Sequence, residues 1–229
     1  MKLQFTIESA SSSHSTLDIQ IDKLIVAGWA GRDRAAIDHH IEELAAIGVP
    51  RPSTVPLFYR VSENSAVQTE SIQSVGTESS GEVETFIFRA GNDLYVSLAS
   101  DHTDRKLEAH SVALSKQVCP KPIASMAWPF AEVADHWDQL IIRSWIDEND
   151  TQTLYQEGSL SSLRAPKDLI SGLTGGDSTL PEKTGMICGT VGAIGGIRPS
   201  ARFTMELFDP VLNRSIRHAY TVETLPEVQ

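Results

Sequence analysis

The chain has 229 residues, of which 41% are hydrophobic and 21% charged, as in an ordinary globular protein with enough residues for a sizeable core. Thirty acidic and nineteen basic residues give a net charge of -11, without a dense lysine and arginine run, which argues against a nucleic-acid or anionic-membrane surface. No apolar stretch approaches the roughly 20 residues needed to cross a bilayer.

The N-terminal stretch and the cysteines predict a cytoplasmic protein. The segment "MKLQFTIESASSS" has one lysine followed by polar alternation, and it lacks the apolar centre of a signal peptide. Cys119 and Cys188 lie far apart and form no CxxC pair, so we interpret them as buried thiols in a reducing compartment.

Three strands and a helix are predicted before residue 50. The stretch "LQFTIES" alternates apolar and polar residues, and "TLDIQIDKLIVAGWAG" predicts a second strand and then a short buried strand that ends at Gly28 to Gly31. Apolar residues recur every three or four positions in "RDRAAIDHHIEELAAIGVP", which predicts an amphipathic helix ended by Gly48 and Pro50.

The remaining chain is predicted to be rich in strands, with a few helices. Strands are predicted at "VPLFYRVS", "LIIRSWIDE" and "TLYQEGSLSSL", and a hairpin at "VETFIF" and "DLYVSLAS" around "RAGND". The polar "ENSAVQTESIQSVGTESSG" predicts a loop with at most one weak strand, and helices are predicted at "RKLEAHSVALSKQ", "PFAEVADHWDQ" and "SLRAPKDLISGLT". The Gly-rich tail predicts two or three antiparallel strands with "DPVLNR" as a turn.

Two glutamates stand at the entrance of this hairpin. Glu82 and Glu84 are two residues apart, so they point to one face of a strand, and that face continues with Phe86 and Phe88. Carboxylates on a buried face need a partner. Asp101 follows the second apolar run of the hairpin and is a further acidic group near it.

Three segments resemble the fumarylacetoacetate hydrolase superfamily. The stretches "SDHTDRKLE" and "SKQVCPKPI" resemble its "NDVSARDLQ…GKS…P" segment, "MICGTVGAIGG" is similar to its "TGTPxGVG", and "VPLFYRVS" to its "PxxFxKPS" strand. The resemblance runs through residues 24 to 225 and is closest to a divergent branch of unknown function. His102 and Asp104 replace small residues of the family loop, and Arg60 stands where a lysine is usual.

The resemblance implies an α+β, mostly β fold, a mixed β-roll with a few peripheral helices. It implies one domain over residues 1–229, in which residues 1–50 form an N-terminal strand and lid-helix extension. It also implies a carboxylate triad of Glu82, Glu84 and Asp101 for Mg2+, or for Ca2+ or Mn2+. Oxygen ligands of this kind suit a hard divalent cation. The alternative is that Glu82 lies in water at an edge and Glu84 pairs with an arginine.

The same resemblance predicts groups that bind the substrate. The cations Arg105 and Lys116 could bind a substrate carboxylate or stabilise developing negative charge. The alternatives are that Arg105 forms a local ion pair and that Lys116 is a solvated helix lysine. A Gly-Thr turn could offer backbone N–H groups and a hydroxyl, or be a plain turn. The residues are Arg60, Arg105, Gly189 and Thr190 for binding and Lys116 for catalysis. His102 directly follows Asp101, so we expect it to line the pocket and bind substrate, with a structural histidine as the equal alternative.

Two His-x-x-Glu pairs lie on the predicted helix before residue 50. His39 with Glu42, and His40 with Glu43, each share one side of the helix. In hydrolases of the resembling family such a pair activates water, and a histidine oriented by a carboxylate is a suitable general base. The alternative is an exposed, charged helix face.

Together these features predict a metal-dependent hydrolase or lyase. The substrate class implied is a small 2-oxo or 1,3-dicarbonyl acid, reacting through a metal-stabilised enolate by C–C hydrolysis, or by hydration, decarboxylation or isomerisation. We expect a homodimer with no nucleic-acid or membrane partner. The rival hypothesis is a non-catalytic metal-binding or ligand-binding β domain on the same scaffold.

Overall fold

The computed structural model describes residues 1–46 and 51–228, and strands predominate in it. The strands are β1 Lys2–Glu8, β2 His14–Gln20, β3 Lys23–Gly28, β4 Leu57–Val61, β5 Ala66–Val67, β6 Ser71–Val75, β7 Ser79–Ser80, β8 Val83–Ala90, β9 Asp93–Ser100, β10 Thr103–Asp104, β11 Lys121–Pro122, β12 Met126–Pro129, β13 Ile141–Glu148, β14 Thr151–Ser159, β15 Thr184–Ile187, β16 Arg202–Asp209 and β17 Arg214–Leu225. The α-helices are α1 Arg34–Ala46, α2 Arg105–Glu108, α3 Val112–Gln117 and α4 Pro166–Thr174. Short 3-10 turns cover Glu63–Ser65, Phe130–Glu132, Ala134–Gln139 and Leu160–Ser162.

Two large sheets form the frame of the molecule. The first has eight strands in the order β2-β1-β12-β9-β8-β15-β3-β4, and the second has five in the order β14-β13-β16-β17-β6. The first sheet is mixed, because β1 runs parallel to β12 and β15 parallel to β3, whereas its other neighbours are antiparallel. This mixed, mostly β architecture is the predicted fold class.

The hairpin of β8 and β9 lies in the middle of the eight-stranded sheet, and apolar groups cover both of its faces. Val83 and Ile87 of β8 belong to a core cluster that also contains Met205 from the five-stranded sheet. Phe86 and Phe88 point to the opposite face and pack with other aromatic rings in a second cluster. The alternation of a strand therefore places Glu84 on the same face as the phenylalanines, which form core rather than the wall of an open cavity.

The predicted hairpin is confirmed, with a two-residue turn between Ala90 and Asp93. The polar stretch after residue 62 was predicted as a loop with one weak strand, and it contains the five-residue strand β6 together with β5 and β7, which have two residues each. In β6 the buried residues Ile72 and Ser74 alternate with exposed polar ones, and this strand pairs with β17. A serine in a buried position masks the alternation on which a strand prediction relies.

Other predictions need correction as well. The single helix predicted before Pro120 is two helices, because the hydroxyl of Ser111 accepts a hydrogen bond from the N–H of Leu114 and starts α3 anew. Strand β12 was not predicted. The strands of the tail were predicted to be antiparallel. The first of them, β15, is antiparallel to β8 but parallel to β3. In the described part of the chain, no helix combines the length and apolar character needed to span a membrane.

Candidate metal centre

The hairpin brings the three predicted carboxylates together. Val83 lies opposite Ser100, and the Asp101 N–H donates to the Glu82 carbonyl at 3.0 Å. One carboxylate oxygen from each of Glu82, Glu84 and Asp101 lies within 4.8 Å of the other two. Glu84 and Asp101 are 3% and 0% exposed. This buried acidic cluster could hold a metal ion.

Two lysine ammonium groups contact the carboxylate of Asp101. Lys116 Nζ on α3 donates a hydrogen bond to Oδ2, and Lys121 Nζ on β11 lies 3.1 Å from Oδ1. Lys121 is fully buried, and its ammonium also donates to the His102 carbonyl at 2.5 Å. The resemblance predicted Lys116, but sequence analysis missed Lys121, because no spacing separates it from an ordinary surface lysine.

The cluster shifts the pKa values of its own acids in opposite directions. Burial by itself raises the pKa of Asp101, but the ammonium groups of Lys116 and Lys121 outweigh burial and hold that pKa below its usual range. Burial, Asp101 and Glu82 together raise the pKa of Glu84 well above its ordinary value. A cation bound beside Glu84 would therefore favour its ionised form.

Arg105 provides the counter-charge for Glu82. Its Nη2 lies 3.1 Å from Glu82 Oε1, its Nη1 donates to Glu108 at 2.8 Å, and its Nε donates to the Ser80 hydroxyl at 2.7 Å. Burial disfavours the guanidinium charge, yet Glu82 and Glu108 outweigh it and raise the pKa of Arg105. The structure thus places Arg105 at the cluster as part of a local ion-pair network.

His102 lies directly behind the cluster. Its Nδ1 is 3.0 Å from the Tyr220 hydroxyl and its Nε2 is 2.9 Å from the Ser79 hydroxyl. The Tyr220 hydroxyl lies in turn 2.8 Å from the Ser100 hydroxyl. Burial, then the charges of Lys121 and Arg105, lower the pKa of His102 to about 3, so the ring is neutral near neutral pH. Both ring nitrogens are engaged within the protein, so this histidine fixes the loop that follows Asp101.

The Gly-Thr turn contacts the second glutamate. The Gly189 N–H donates to Glu84 Oε2, and Gly189 has a φ of +96°, while a Cβ there would lie 2.6 Å from that of Ala30. Glycine is therefore needed at this position. The Thr190 hydroxyl donates to the Val83 carbonyl at 2.7 Å and accepts from Gln156 at 2.8 Å. Since this hydroxyl already forms hydrogen bonds within the protein, Thr190 would contact a ligand through its backbone.

The structure does not bring Arg60 to the cluster. Arg60 is exposed, and its Nη2 donates to the Asp22 carbonyl at 3.1 Å. The preceding residue, Tyr59, points to the opposite face of β4, and its ring centre lies 5.8 Å from Lys116 Nζ. Alternation along the strand thus presents Tyr59 to the lysine where sequence analysis had expected Arg60 to bind substrate.

The His-x-x-Glu pairs lie on α1, as predicted for a helix. His39 and Glu42 are exposed, and Glu42 forms an ion pair with Arg51 whose Nη2–Oε2 distance is 2.6 Å. The side chains of His40 and Glu43, like Gly48 and Pro50, lie outside the described part of the structure. A catalytic role for either pair stays a prediction.

The comparisons with known proteins agree with this fold. The model of the protein family of unknown function DUF2848 matches residues 27–220, and the chain belongs to that family. Comparison with curated proteins gives no significant match.

Several solved structures share the fold. Yeast ynq8, a fumarylacetoacetate hydrolase family protein, superposes with a TM-score of 0.64 at 18% identity, over 91% of this chain and 95% of that one. A 2-keto-3-deoxyarabinonate dehydratase gives 0.64 at 16%, over 90% and 75% of the two chains, and Cg1458 gives 0.64 at 15%, over 90% and 78%. These TM-scores establish a shared fold, and together with the family match they confirm the predicted resemblance to a divergent branch of unknown function.

Proposed function

We propose that the protein is a divalent-metal-dependent enzyme that acts on a small 2-oxo or 1,3-dicarbonyl acid. The observation that carries this proposal is the gathering of Glu82, Glu84 and Asp101 in a buried place. Within the described residues, Asp101 Oδ1 accepts no hydrogen bond, although an ammonium lies beside it. The Asp101 carboxylate is therefore incompletely hydrogen-bonded in the interior, which suits a further cationic partner for this group.

The donor set fits a hard cation such as Mg2+, Ca2+ or Mn2+, since all three donors are carboxylates. When bound by few protein ligands, such an ion polarises a carbonyl and stabilises an enolate. The 2-oxo acid class is supported by the fold shared with the 2-keto-3-deoxyarabinonate dehydratase.

The chain's own groups would bind and orient the acid. Lys116, partly covered by the ring of Tyr59, lies beside the carboxylates and offers an ammonium to a substrate carboxylate. Arg105 keeps Glu82 in place through their 3.1 Å ion pair. The Gly189 N–H orients Glu84, and the buried surroundings strengthen each of these electrostatic contacts.

The reaction depends on the histidines of α1. If His39 with Glu42, or His40 with Glu43, takes a proton from water, C–C hydrolysis follows. Without such a base, hydration, dehydration, decarboxylation or isomerisation of the same class of acid is expected. Double variants His39→Gln/His40→Gln separate these outcomes, because hydrolysis would be lost and the other reactions retained.

The test is a panel of 2-oxo acids and acylpyruvates, assayed with Mg2+ and with EDTA. We expect one substrate class to be turned over only with Mg2+, and Glu84→Gln to abolish turnover while Glu223→Gln, an exposed glutamate on β17, preserves it. No turnover, together with a thermal stability in Mg2+ that Glu84→Gln leaves unchanged, would refute the proposal. A stabilisation by Mg2+ that requires Glu84, without any turnover, would instead favour the non-catalytic metal-binding domain.

A further inference from the structure

The carboxylate of Asp101 already has a cation on each of its oxygens. Lys116 Nζ donates to Oδ2, and Lys121 Nζ lies 3.1 Å from Oδ1. A divalent ion that binds this carboxylate together with Glu82 and Glu84 would meet an ammonium whichever oxygen it takes. Two like charges at such a separation repel strongly in a buried place, so one ammonium has to give way.

Lys121 is the less able of the two lysines to move. Its side chain is 0% exposed, and its ammonium donates to the His102 carbonyl at 2.5 Å. Its backbone lies in β11, where it pairs with Ala66 of β5. A displaced Lys121 ammonium would lose two polar partners in the interior without reaching water, which is a costly outcome.

Lys116 lies closer to the surface. It is on the short helix α3, and its side chain is 8% exposed, whereas that of Lys121 is 0% exposed. Apart from the nearby carboxylates, which include Glu82 and Glu108, its ammonium lies 5.8 Å from the ring centre of Tyr59. A lysine ammonium on a flexible four-carbon stem can turn toward that side by rotamer changes.

We propose that a divalent ion displaces Lys116 from Asp101, while Lys121 remains and keeps the carboxylate oriented. The displaced ammonium then lies beside Tyr59, where it binds the carboxylate of an acid held by the ion. Lys116, Lys121 and Arg105 are paired with the three carboxylates of Asp101, Glu82 and Glu108, so a divalent ion brings positive charge that an anionic ligand neutralises. This exchange rests on the metal site of the proposed function and adds the order of events within it.

Lysine labelling on the wild-type protein tests the exchange directly. The protein is treated with brief pulses of formaldehyde and cyanoborohydride, with EDTA or with saturating Mn2+, and methylation is located by peptide mass spectrometry. We expect Mn2+ to raise the methylation rate of Lys116 several-fold, to leave Lys121 protected, and not to change Lys106, which is exposed on α2. A Lys116 that stays as protected with Mn2+ as without it overturns the exchange.

Variants provide the second measurement, with Mn2+ affinity determined by calorimetry. Lys116→Met removes the competing charge, so we expect Mn2+ to bind at least about tenfold more tightly than in the wild type. Lys116→Arg keeps a competing charge and Lys106→Met changes nothing near the site, so both should stay close to wild type. Equal or weaker binding by a folded Lys116→Met protein contradicts the proposal, and if that variant does not fold, the labelling decides.

The outcomes separate the exchange from the proposed function. If the wild type binds Mn2+ and Glu84→Gln abolishes binding, but Lys116 stays protected and Lys116→Met is unchanged, the metal site stands and the exchange fails. If the wild type and Lys116→Met both fail to bind Mn2+, the proposed function and the exchange fail together.

Discussion

The side-chain oxygen of Gln156 accepts a hydrogen bond from the backbone N–H of Val83 at 3.0 Å. Val83 lies between the two glutamates of the acidic cluster, whereas Gln156 belongs to β14 of the other sheet. The amide nitrogen of Gln156 donates to the Thr190 hydroxyl at 2.8 Å and to the Val191 carbonyl at 2.7 Å. One buried amide thus connects the glutamate strand and the Gly-Thr turn to the five-stranded sheet.

Gln156→Leu is expected to destabilise the protein by about 1–3 kcal/mol, because buried polar partners lose their hydrogen bonds. We also expect weaker Mn2+ binding, since the glutamate strand loses a fixed support. Urea unfolding and calorimetry measure the two effects. Gln152→Leu makes the same change at an exposed position of β14 and should alter stability by less than about 0.5 kcal/mol. Equal effects of the two substitutions would contradict a special role for Gln156.

Glu84 makes the stability of the metal-free protein depend on pH. Burial, Asp101 and Glu82 raise the pKa of Glu84 well above 4.5, so the native state keeps a proton that the unfolded chain has lost. Stability from this group therefore decreases as pH rises from 4.5 towards the folded-state pKa. In urea unfolding with EDTA, Glu84→Gln should lose this decrease, and saturating Mg2+ should offset it only in the wild type. Parallel stability profiles for the two proteins would contradict this prediction.

His102 affects stability at acidic pH. Its pKa is lowered from 6.5 to about 3, chiefly by burial. Between these two pH values the unfolded chain therefore binds a proton that the native state does not bind. Its contribution to stability is complete above pH 6.5 and is lost as pH falls towards 3. His102→Gln should flatten this part of the profile, and His14→Gln, at an exposed position of β2, should leave it unchanged. A wild-type slope in His102→Gln would show that other groups cause it.

The two arginines named from sequence should behave differently when each is changed to methionine. Arg105→Met removes a largely buried cation that neutralises Glu82 and Glu108, so we expect a loss of about 3 kcal/mol and weaker Mn2+ binding. Arg60→Met removes an exposed side chain, and we expect less than about 0.5 kcal/mol and unchanged binding. Chemical unfolding and calorimetry measure both. A loss of Mn2+ binding in Arg60→Met would place that arginine back at the site.

Local patterns in the sequence were sufficient for the hairpin and for the order of its acidic groups. Alternating apolar residues around a Gly-Asn turn specify β8 and β9, and their pairing places Asp101 next to Glu82. The same patterns were insufficient for β6, where the buried Ser74 does not count as apolar. They were also insufficient for the break between α2 and α3, which depends on the Ser111 cap.

Three carboxylates and a Gly-Thr turn occur along the chain in an order that resembles a known superfamily, and this order is evident without a structure. The resemblance also named two of the surrounding cations, Lys116 and Arg105, whereas the Lys121 ammonium and the Gln156 amide became evident from the folded structure. Lys121 is 20 residues from Asp101 and Gln156 is 73 residues from Val83 in the sequence, so no local spacing marks them. Tyr59 rather than Arg60 faces Lys116 because the pairing of β4 with β3 fixes which face of the strand turns inward. Side-chain periodicity defines two faces for a strand, and packing alone selects the one that is buried.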